Sequence, residues 1–361
     1  MCKRVLIAMS GGIDSSVSAL LLKEAGYELV GVTFRTFDHI KESCMAREKG
    51  CCSVESIFEA KHFAEGLGIE HHILDFREIF KENVIKNFIE EYKNGRTPNP
   101  CVLCNSHIKW GELLTAADTF GCDLIATGHY ASIREHNGHH FLHTVADTHK
   151  DQTYFLWMLT EENLKRTIFP LGDLTKPQVR EIAMNHNLKT LATKSESQEI
   201  CFVTDNDYRH FLSEQGCVIE EGNFIDTNGN VIGRHKGYCN YTIGQRKGLG
   251  VAFGTPKYVT NIDASKNEVT LGDRNDLFCT EISISDVRIR DIDWLRASPD
   301  IFARIRYKSP ATKAKIIFSN DYADTETATI IFDEPVWGAA PGQSMVLYKE
   351  GLVVGGGIIE G

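Results

Sequence analysis

Arg4-Val5-Leu6-Ile7-Ala8-Met9-Ser10-Gly11-Gly12-Ile13-Asp14-Ser15-Ser16 is the stretch that decides the fold. Arg4 to Met9 reads as a strand buried on both faces, apolar without a break from Val5 onward. Two glycines break it, and a helical pattern follows from Ser15 to Ala25 with Val17, Leu20, Leu21 and Leu22. Glycines let backbone approach a polyanion closely, and the N–H groups opening the next helix point at it with the positive end of the dipole. Ser10, Ser15 and Ser16 add hydroxyl donors. The loop lacks the Gly-Lys-Ser/Thr ending of a Walker A motif and is not a dinucleotide fingerprint. Gly355-Gly356-Gly357 opens no helix and reads as a tight strand or turn.

The alternation continues outward. Strand patterns at Leu29–Phe34, His71–Phe76 and Asp123–Thr127 are interleaved with helical ones at Val54–Glu65, Glu78–Lys93 and Ser106–Thr119. This is the pattern of an α/β, doubly wound parallel sheet, in which ligands bind at the carboxyl ends of strands. Asn137-Gly138 marks a hairpin, and Thr175 with Pro177 opens a helix to Asn187. From Gly216 the chain is rich in Gly, Thr, Val and Ile, with a second hairpin signal at Asn228-Gly229 and no clear amphipathic helix. The expected domains are 1–207, a small β-rich central domain at 208–277 and a β domain at 278–361.

The chain has 361 residues, 42% hydrophobic and 24% charged, as in ordinary globular proteins. No apolar run approaches the roughly 20 residues of a spanning helix. The opening segment breaks at Ser10-Gly11-Gly12 without a cleavage-type sequence, so the expectation is a cytoplasmic protein with no membrane partner. Eleven cysteines without a secretion signal point to thiols that do chemistry or bind metal. A net charge of −10 argues against indiscriminate nucleic-acid binding, yet basic residues cluster locally. Arg234, Lys236, Arg246, Lys247 and Lys257 fall in an acid-free stretch, and strand alternation would put Arg304, Arg306 and Lys308 on one face. Cys44, Cys51 and Cys52 read as incidental thiols of a polar loop, and His136, His139, His140 and His143 as surface histidines around the hairpin.

Two cysteine segments add to the loop. Arg96-Thr97-Pro98-Asn99-Pro100-Cys101-Val102-Leu103-Cys104 is a rigid turn feeding a helix, with Cys104 near its start, where the dipole favours a thiolate. Ser195-Glu196-Ser197-Gln198-Glu199-Ile200-Cys201 places another cysteine in a polar segment. The Ser-Gly-Gly-Ile-Asp-Ser-Ser loop resembles that of the ATP pyrophosphatase superfamily. Together with Ala126-Thr127-Gly128-His129-Tyr130, Lys150-Asp151-Gln152-Thr153, Gly244-Gln245-Arg246-Lys247-Gly248 and Ala340-Pro341-Gly342-Gln343, these segments resemble the tRNA-specific 2-thiouridylase family from residue 8 to 343.

That resemblance implies an ATP pyrophosphatase domain, a small central domain and a C-terminal β-barrel. It also implies an enzyme that adenylates the wobble uridine of certain tRNAs and puts sulfur at carbon 2, giving AMP and pyrophosphate. ATP with Mg2+ would bind at Ala8, Met9, Ser10, Gly11, Gly12, Ile13, Asp14, Ser15, Phe34 and Gly128. Asn99, Pro100 and Cys101 would face the target base. His129, Lys150, Asp151, Gln152, Arg306, Tyr307 and Gln343 would touch the tRNA. Cys104 would be the nucleophile and Cys201 the persulfide carrier, loaded by a sulfur-relay donor protein. Many family members carry Asp where this chain has Cys101. The change leaves an alternative in which Cys101, Cys104 and Cys201 hold an iron–sulfur cluster as sulfur carrier. An ATP-dependent small-molecule synthetase shares the loop but has no use for the distant cysteines. A non-enzymatic RNA-binding protein with a metal site explains the cysteines but not the loop.

Overall fold

The computed structural model describes residues 3–37, 54–193, 200–203, 205, 207–217, 220–250, 254–319 and 327–361. The chain divides into two compact units, one built from residues 1–84, 101–206 and 351–353, the other from 85–100, 207–350 and 354–361. Cys44, Cys51, Cys52 and the segment 194–199 lie outside the described residues.

In the first unit, β1 (Arg4–Ala8), β2 (Glu28–Arg35), β3 (Glu70–Asp75), β4 (Leu124–Ala126) and β7 (Thr167–Ile168) form a parallel sheet in the order β3-β2-β1-β4-β7. The order runs backward from β1 to β3 and forward from β1 to β7, so the topological switch point lies between β1 and β4. Open α/β sheets bind ligands in the crevice outside the carboxyl ends of the strands at that point. Helix α1 (Ile13–Glu24) packs Ala19 and Leu22 on Val5, Ile7 and Met9, with Ala60 and Ala64 of α2 (Val54–Gly66) closing the same cluster. Its other side sets Ile13 and Val17 against Val179 and Ala183 of the helix Lys176–Asn185. Burying each such aliphatic side chain stabilises the fold by roughly 1.5–3 kcal/mol. The hairpin of β5 (Ser132–His136) and β6 (His139–His143) turns at Asn137 and Gly138, whose φ values of 52° and 78° are the positive pair this tight turn requires. The strand β7, two residues long, is too short to carry a periodicity.

The helix holding Cys104 begins at Pro100, not Ser106. It is α-helical over Pro100–Leu103, π-helical over Cys104–Glu112 and α-helical again over Leu113–Thr119. Proline at the first helical position gives up no hydrogen bond and presets φ, so the helix starts on it. Cys101 therefore occupies the first turn, and Cys104 lies one turn further from the positive end of the dipole.

In the second unit, Phe88 and Tyr92 of the helix Lys86–Lys93 pack on Phe211 and Tyr208, at ring separations of 6.1 and 4.8 Å. Strands β8 (Gly222–Ile225), β9 (Val231–His235), β10 (Tyr258–Asp263) and β11 (Glu268–Gly272) form a sheet ordered β10-β11-β8-β9. Beyond it, β12 (Phe278–Ile289), β13 (Asp300–Arg304), β14 (Thr312–Phe318), β15 (Thr327–Trp337), β16 (Ser344–Lys349) and β17 (Leu352–Ile359) run in the order β12-β15-β14-β13-β16-β17. Because β17 also pairs with β12, the six strands close into a barrel with no free edge. The chain leaves β13 at Arg304 and turns, with Arg306 N and Ser309 Oγ 3.1 Å apart and Ser309 Oγ donating to the Arg306 carbonyl. Arg306 and Lys308 consequently do not share the strand face that alternation suggested.

Candidate active site

The loop Ser10–Gly12 leaves the carboxyl end of β1, and Thr127–Tyr130 leaves the carboxyl end of β4, on the two sides of the switch point. The two loops touch. A Cβ on Gly128 would lie 2.8 Å from the Ser15 amide nitrogen and 2.9 Å from the Asp14 carbonyl carbon, so only glycine fits there. Within the loop, Ser10 N donates to Ser15 Oγ at 3.1 Å and Ser15 Oγ lies 3.1 Å from the Gly12 carbonyl. These bonds fix the turn into α1. Ala8 and buried Met9 end the β1 side, and Phe34 stands near the end of β2 with its ring 5.2 Å from that of Phe76.

Asp14 is held from two directions. Lys176 Nζ reaches its two carboxylate oxygens at 2.7 and 2.8 Å, and Tyr130 donates its hydroxyl to Oδ1 at 2.8 Å. The Lys176 side chain is only 7% exposed, so its charge has to be matched here. Neither Lys176 nor Tyr130 was assigned a role from the sequence. A signal existed: a lysine opening a helix sits against the positive end of the dipole, an arrangement that needs a local anion. Lys176 N also donates to Asp147 Oδ2 at 3.1 Å, and Thr175 and Gln178 form a capping box over the same turn.

His129 and Lys109 form a second group. Lys109 Nζ lies 3.4 Å from His129 Nε2, and His129 Nδ1 lies 2.8 Å from Thr127 Oγ1. An ammonium can only donate, so Nε2 accepts and the Nδ1–H donates to Thr127. Burial, with Lys109 adding to it, drives the His129 pKa well below its ordinary 6.5. Cys101 is exposed as a residue, yet the protein crowded around it pushes its thiol pKa up, with Lys109 pulling the other way. At neutral pH this thiol keeps its proton and does not mimic a carboxylate.

Cys104 and Cys201 are both half-buried in the first unit. Beside Cys201, Phe202 is fully buried against Phe80 and Phe37, at 5.7 and 6.5 Å between rings, and anchors the segment. Among the described residues no group of three or more His, Cys, Asp or Glu is gathered in a way that could hold a metal ion. Asp151 is buried, its carboxylate accepting from Thr153 N at 2.8 Å and from Thr153 Oγ1 and Val145 N, while Gln152 Oε1 accepts from Tyr130 N at 2.9 Å. Both brace loops of the site, and neighbouring Lys150 is half-buried.

In the second unit the Arg306 guanidinium donates to the carbonyls of Ile243 and Gly338, at 2.9 and 2.5 Å, and Tyr307 is half-buried beside it. Gln343 donates to the carbonyls of Thr97 and Pro98, and Asn99 and Pro100 follow, half-buried and buried. No helix among the described residues is long and apolar enough to cross a membrane.

Three family models match: a tRNA methyl transferase HUP domain over residues 3–205, a tRNA methyl transferase PRC-barrel domain over 209–273 and an aminomethyltransferase β-barrel domain over 284–359. The chain is 47% identical to a tRNA-specific 2-thiouridylase MnmA of Amoebophilus asiaticus over 99% of this chain and 95% of that one. It is 46% identical to a tRNA-specific 2-thiouridylase MnmA of Clostridioides difficile over 100% and 99%. The models' descriptions say methyl transferase and the relatives' names say thiouridylase; the relatives match end to end at high identity, and their names carry the assignment. A solved 4-thiouridine synthetase–RNA complex with bound ATP is similar over 59% of this chain and 50% of that one, at 15% identity and a TM-score of 0.36.

Two outcomes are expected. Lys176→Met strands the Asp14 carboxylate; a fully buried pair broken this way loses about 3–5 kcal/mol, and with Asp14 31% exposed the loss should be about 1–3 kcal/mol, measured as a lower unfolding midpoint. ATP binding, followed by calorimetry, should weaken at least tenfold, whereas Tyr130→Phe should cost about 1 kcal/mol for one hydroxyl bond. For His129 the folded pKa lies below the unfolded one, so between the two the unfolded chain binds the extra proton. Its contribution to stability is complete above about pH 6.5 and declines as pH falls below that. The His129 ring signals in an NMR titration should stay unshifted through pH 6.5, and a shift centred there would contradict the assigned hydrogen bonds.

Proposed function

The chain belongs to the tRNA-specific 2-thiouridylase family, and we propose that its two-loop site at the switch point activates a tRNA uridine with ATP for sulfur insertion at carbon 2. It is a tRNA-modifying transferase that uses ATP. The observation that supports the reading is the contact of the Ser10–Ser16 loop with Gly128 at the topological switch point, the position where open α/β sheets bind ligands.

A uridine carbonyl is a poor electrophile because oxide is a poor leaving group. Attack of the uridine O2 on the α-phosphorus of ATP expels pyrophosphate and makes that oxygen part of departing AMP. The amide end of α1 and the Ser10 hydroxyl are the donors for the phosphates, Ser15 shapes the loop by donating to the Gly12 carbonyl, and Asp14 is kept from repelling the phosphates because Lys176 neutralises it. Magnesium would arrive on the nucleotide phosphates, since Asp14 is already paired. Ala8 to Ser15, Phe34 and Gly128 form the proposed nucleotide site.

Sulfur then arrives as a persulfide on Cys201. Its terminal sulfur attacks carbon 2, AMP leaves, and the base is held to Cys201 through a disulfide. The Cys104 thiolate attacks Cys201 Sγ, which frees the 2-thiouridine and leaves a Cys104–Cys201 disulfide for a thiol reductant to reset. A sulfur-relay protein reloads Cys201. Since Cys101 keeps its proton, it lines the approach of the base rather than serving as the base catalyst that Asp at this place would be. Asn99 and Pro100 belong to the same approach.

For the tRNA we propose Lys150, His129 and Tyr307 as contacts, together with Arg246 and Lys247. The last two are exposed on a turn fixed by Thr242 N to Gln245 Oε1 and Gln245 Nε2 to the Lys247 carbonyl, at 3.1 and 3.0 Å. Arg306 is committed to two carbonyls and supports that turn through Ile243. The divisions 1–207, 208–277 and 278–361 remain the proposed domains, the first adenylating and thiolating, the others docking.

Cys201→Ser should still release pyrophosphate when tRNA is added and accumulate adenylated tRNA, with no 2-thiouridine by nucleoside mass spectrometry. Full thiolation by that variant would sink the persulfide assignment. Because each phosphate contact releases counterions, Arg246→Ala should weaken tRNA binding and lower the slope of log affinity against log salt by about one unit. An unchanged slope would place the tRNA elsewhere.

A further inference from the structure

The segment Arg96–Pro98 runs into Asn99 and Pro100, and the Arg96 guanidinium, the Thr97 amide and the carbonyls of Thr97 and Pro98 are gripped from the second unit's barrel or the helix before it. Arg96 Nε bonds Glu91 Oε2 at 2.8 Å, and its two outer nitrogens take Glu360 at 2.7 and 3.1 Å. Glu360 also accepts from Ser285 Oγ at 2.5 Å, and the Arg96 fork holds its carboxyl below the usual range. Thr97 N donates to the Pro341 carbonyl at 2.7 Å, and Gln343 Nε2 returns two bonds, to the carbonyls of Thr97 at 3.0 Å and Pro98 at 2.9 Å. Gly342 lets the backbones meet: a Cβ there would stand 2.7 Å from Glu91 Oε2 and 3.0 Å from Thr97 N. Both prolines are buried.

We infer that Gln343 and the Glu91–Arg96–Glu360 fork are positioning residues, a clasp by which the C-terminal barrel fixes the backbone of Thr97-Pro98 and so of Asn99-Pro100, the run that faces the uridine in the reading above. The inference rests on the thiouridylase reading above. It reassigns Gln343 from a tRNA contact to a group acting through Thr97 and Pro98. A backbone amide pair bound to one side chain, beside a bidentate ion pair with all three side chains no more than 35% exposed, is a rigid arrangement. A barrel with no free edge is a stiff base for it. Positioning errors near 1 Å in a reacting group can cost about a hundredfold in rate, so a clasp of this kind acts on turnover and not on docking.

Gln343→Met keeps the volume and removes both donors. Turnover of tRNA thiolation should fall about ten- to a hundredfold, while tRNA Kd, its salt slope and ATP binding stay within about twofold. Amide hydrogen exchange at Thr97 should quicken in the same variant, a readout that needs no activity at all. Arg96→Lys, which keeps the charge and loses the fork, should show the same split in a milder form and carries the test if Gln343→Met does not fold. A tRNA Kd weakened tenfold or more with turnover intact makes Gln343 a tRNA contact and overturns the clasp, as does unchanged turnover in either folded variant. If wild-type protein itself makes no 2-thiouridine, the thiouridylase reading has failed, while the exchange result still judges the clasp.

Discussion

The ion pair of Asp14 with Lys176 is the constraint on which the site depends. A carboxylate one residue inside the helix proposed to bind phosphates would repel them, and a 7% exposed ammonium would be costly alone. Paired, the two neutralise each other and tie three segments together: the loop after β1, the helix Lys176–Asn185 and, through the Tyr130 hydroxyl, the loop after β4. Gly128 can then lie against Ser15 without a clash. The apolar contacts of Ile13 and Val17 with Val179 and Ala183 supply the packing that keeps the pair in register.

The same economy of charge holds around Lys109. Burial keeps His129 neutral; the Lys109 ammonium adds to that, fixes a single tautomer, and works against the crowding that raises the Cys101 thiol. The group around Lys109 thus joins a fixed cation, a neutral imidazole and a neutral thiol. A chain of net charge −10 presents its substrate with local donors rather than a general positive field.

Much of the fold was legible because it is local. The apolar run 4–9, the glycine break and the helix behind it are neighbours in sequence, and the alternation that follows allows few topologies. The Asn137-Gly138 turn states its own backbone angles, while at Asn228-Gly229 only the glycine takes a positive φ, in a longer loop between β8 and β9. Long-range facts were not legible. The C-terminal barrel was expected from the family resemblance and is found; residues 344–359 by themselves do not announce that β17 returns to β12, because the closing is a pairing across about seventy residues. The basic spacing of Arg304, Arg306 and Lys308 imitates a strand face, yet Ser309 bonds back to Arg306 and makes a turn. Phosphate loop and cysteine motifs named the chemistry; the partners that hold them, Lys176, Lys109 and Gln343, are set by distance in space and left only faint marks in the sequence.

The most direct test of the account is to incubate purified protein with ATP, a sulfur source and unmodified tRNA and to count products together: AMP, pyrophosphate and the nucleosides of the digested tRNA. The account predicts one AMP and one pyrophosphate for each 2-thiouridine formed, and none of the three without tRNA. Pyrophosphate released without tRNA, or uridine methylated instead of thiolated, would contradict it.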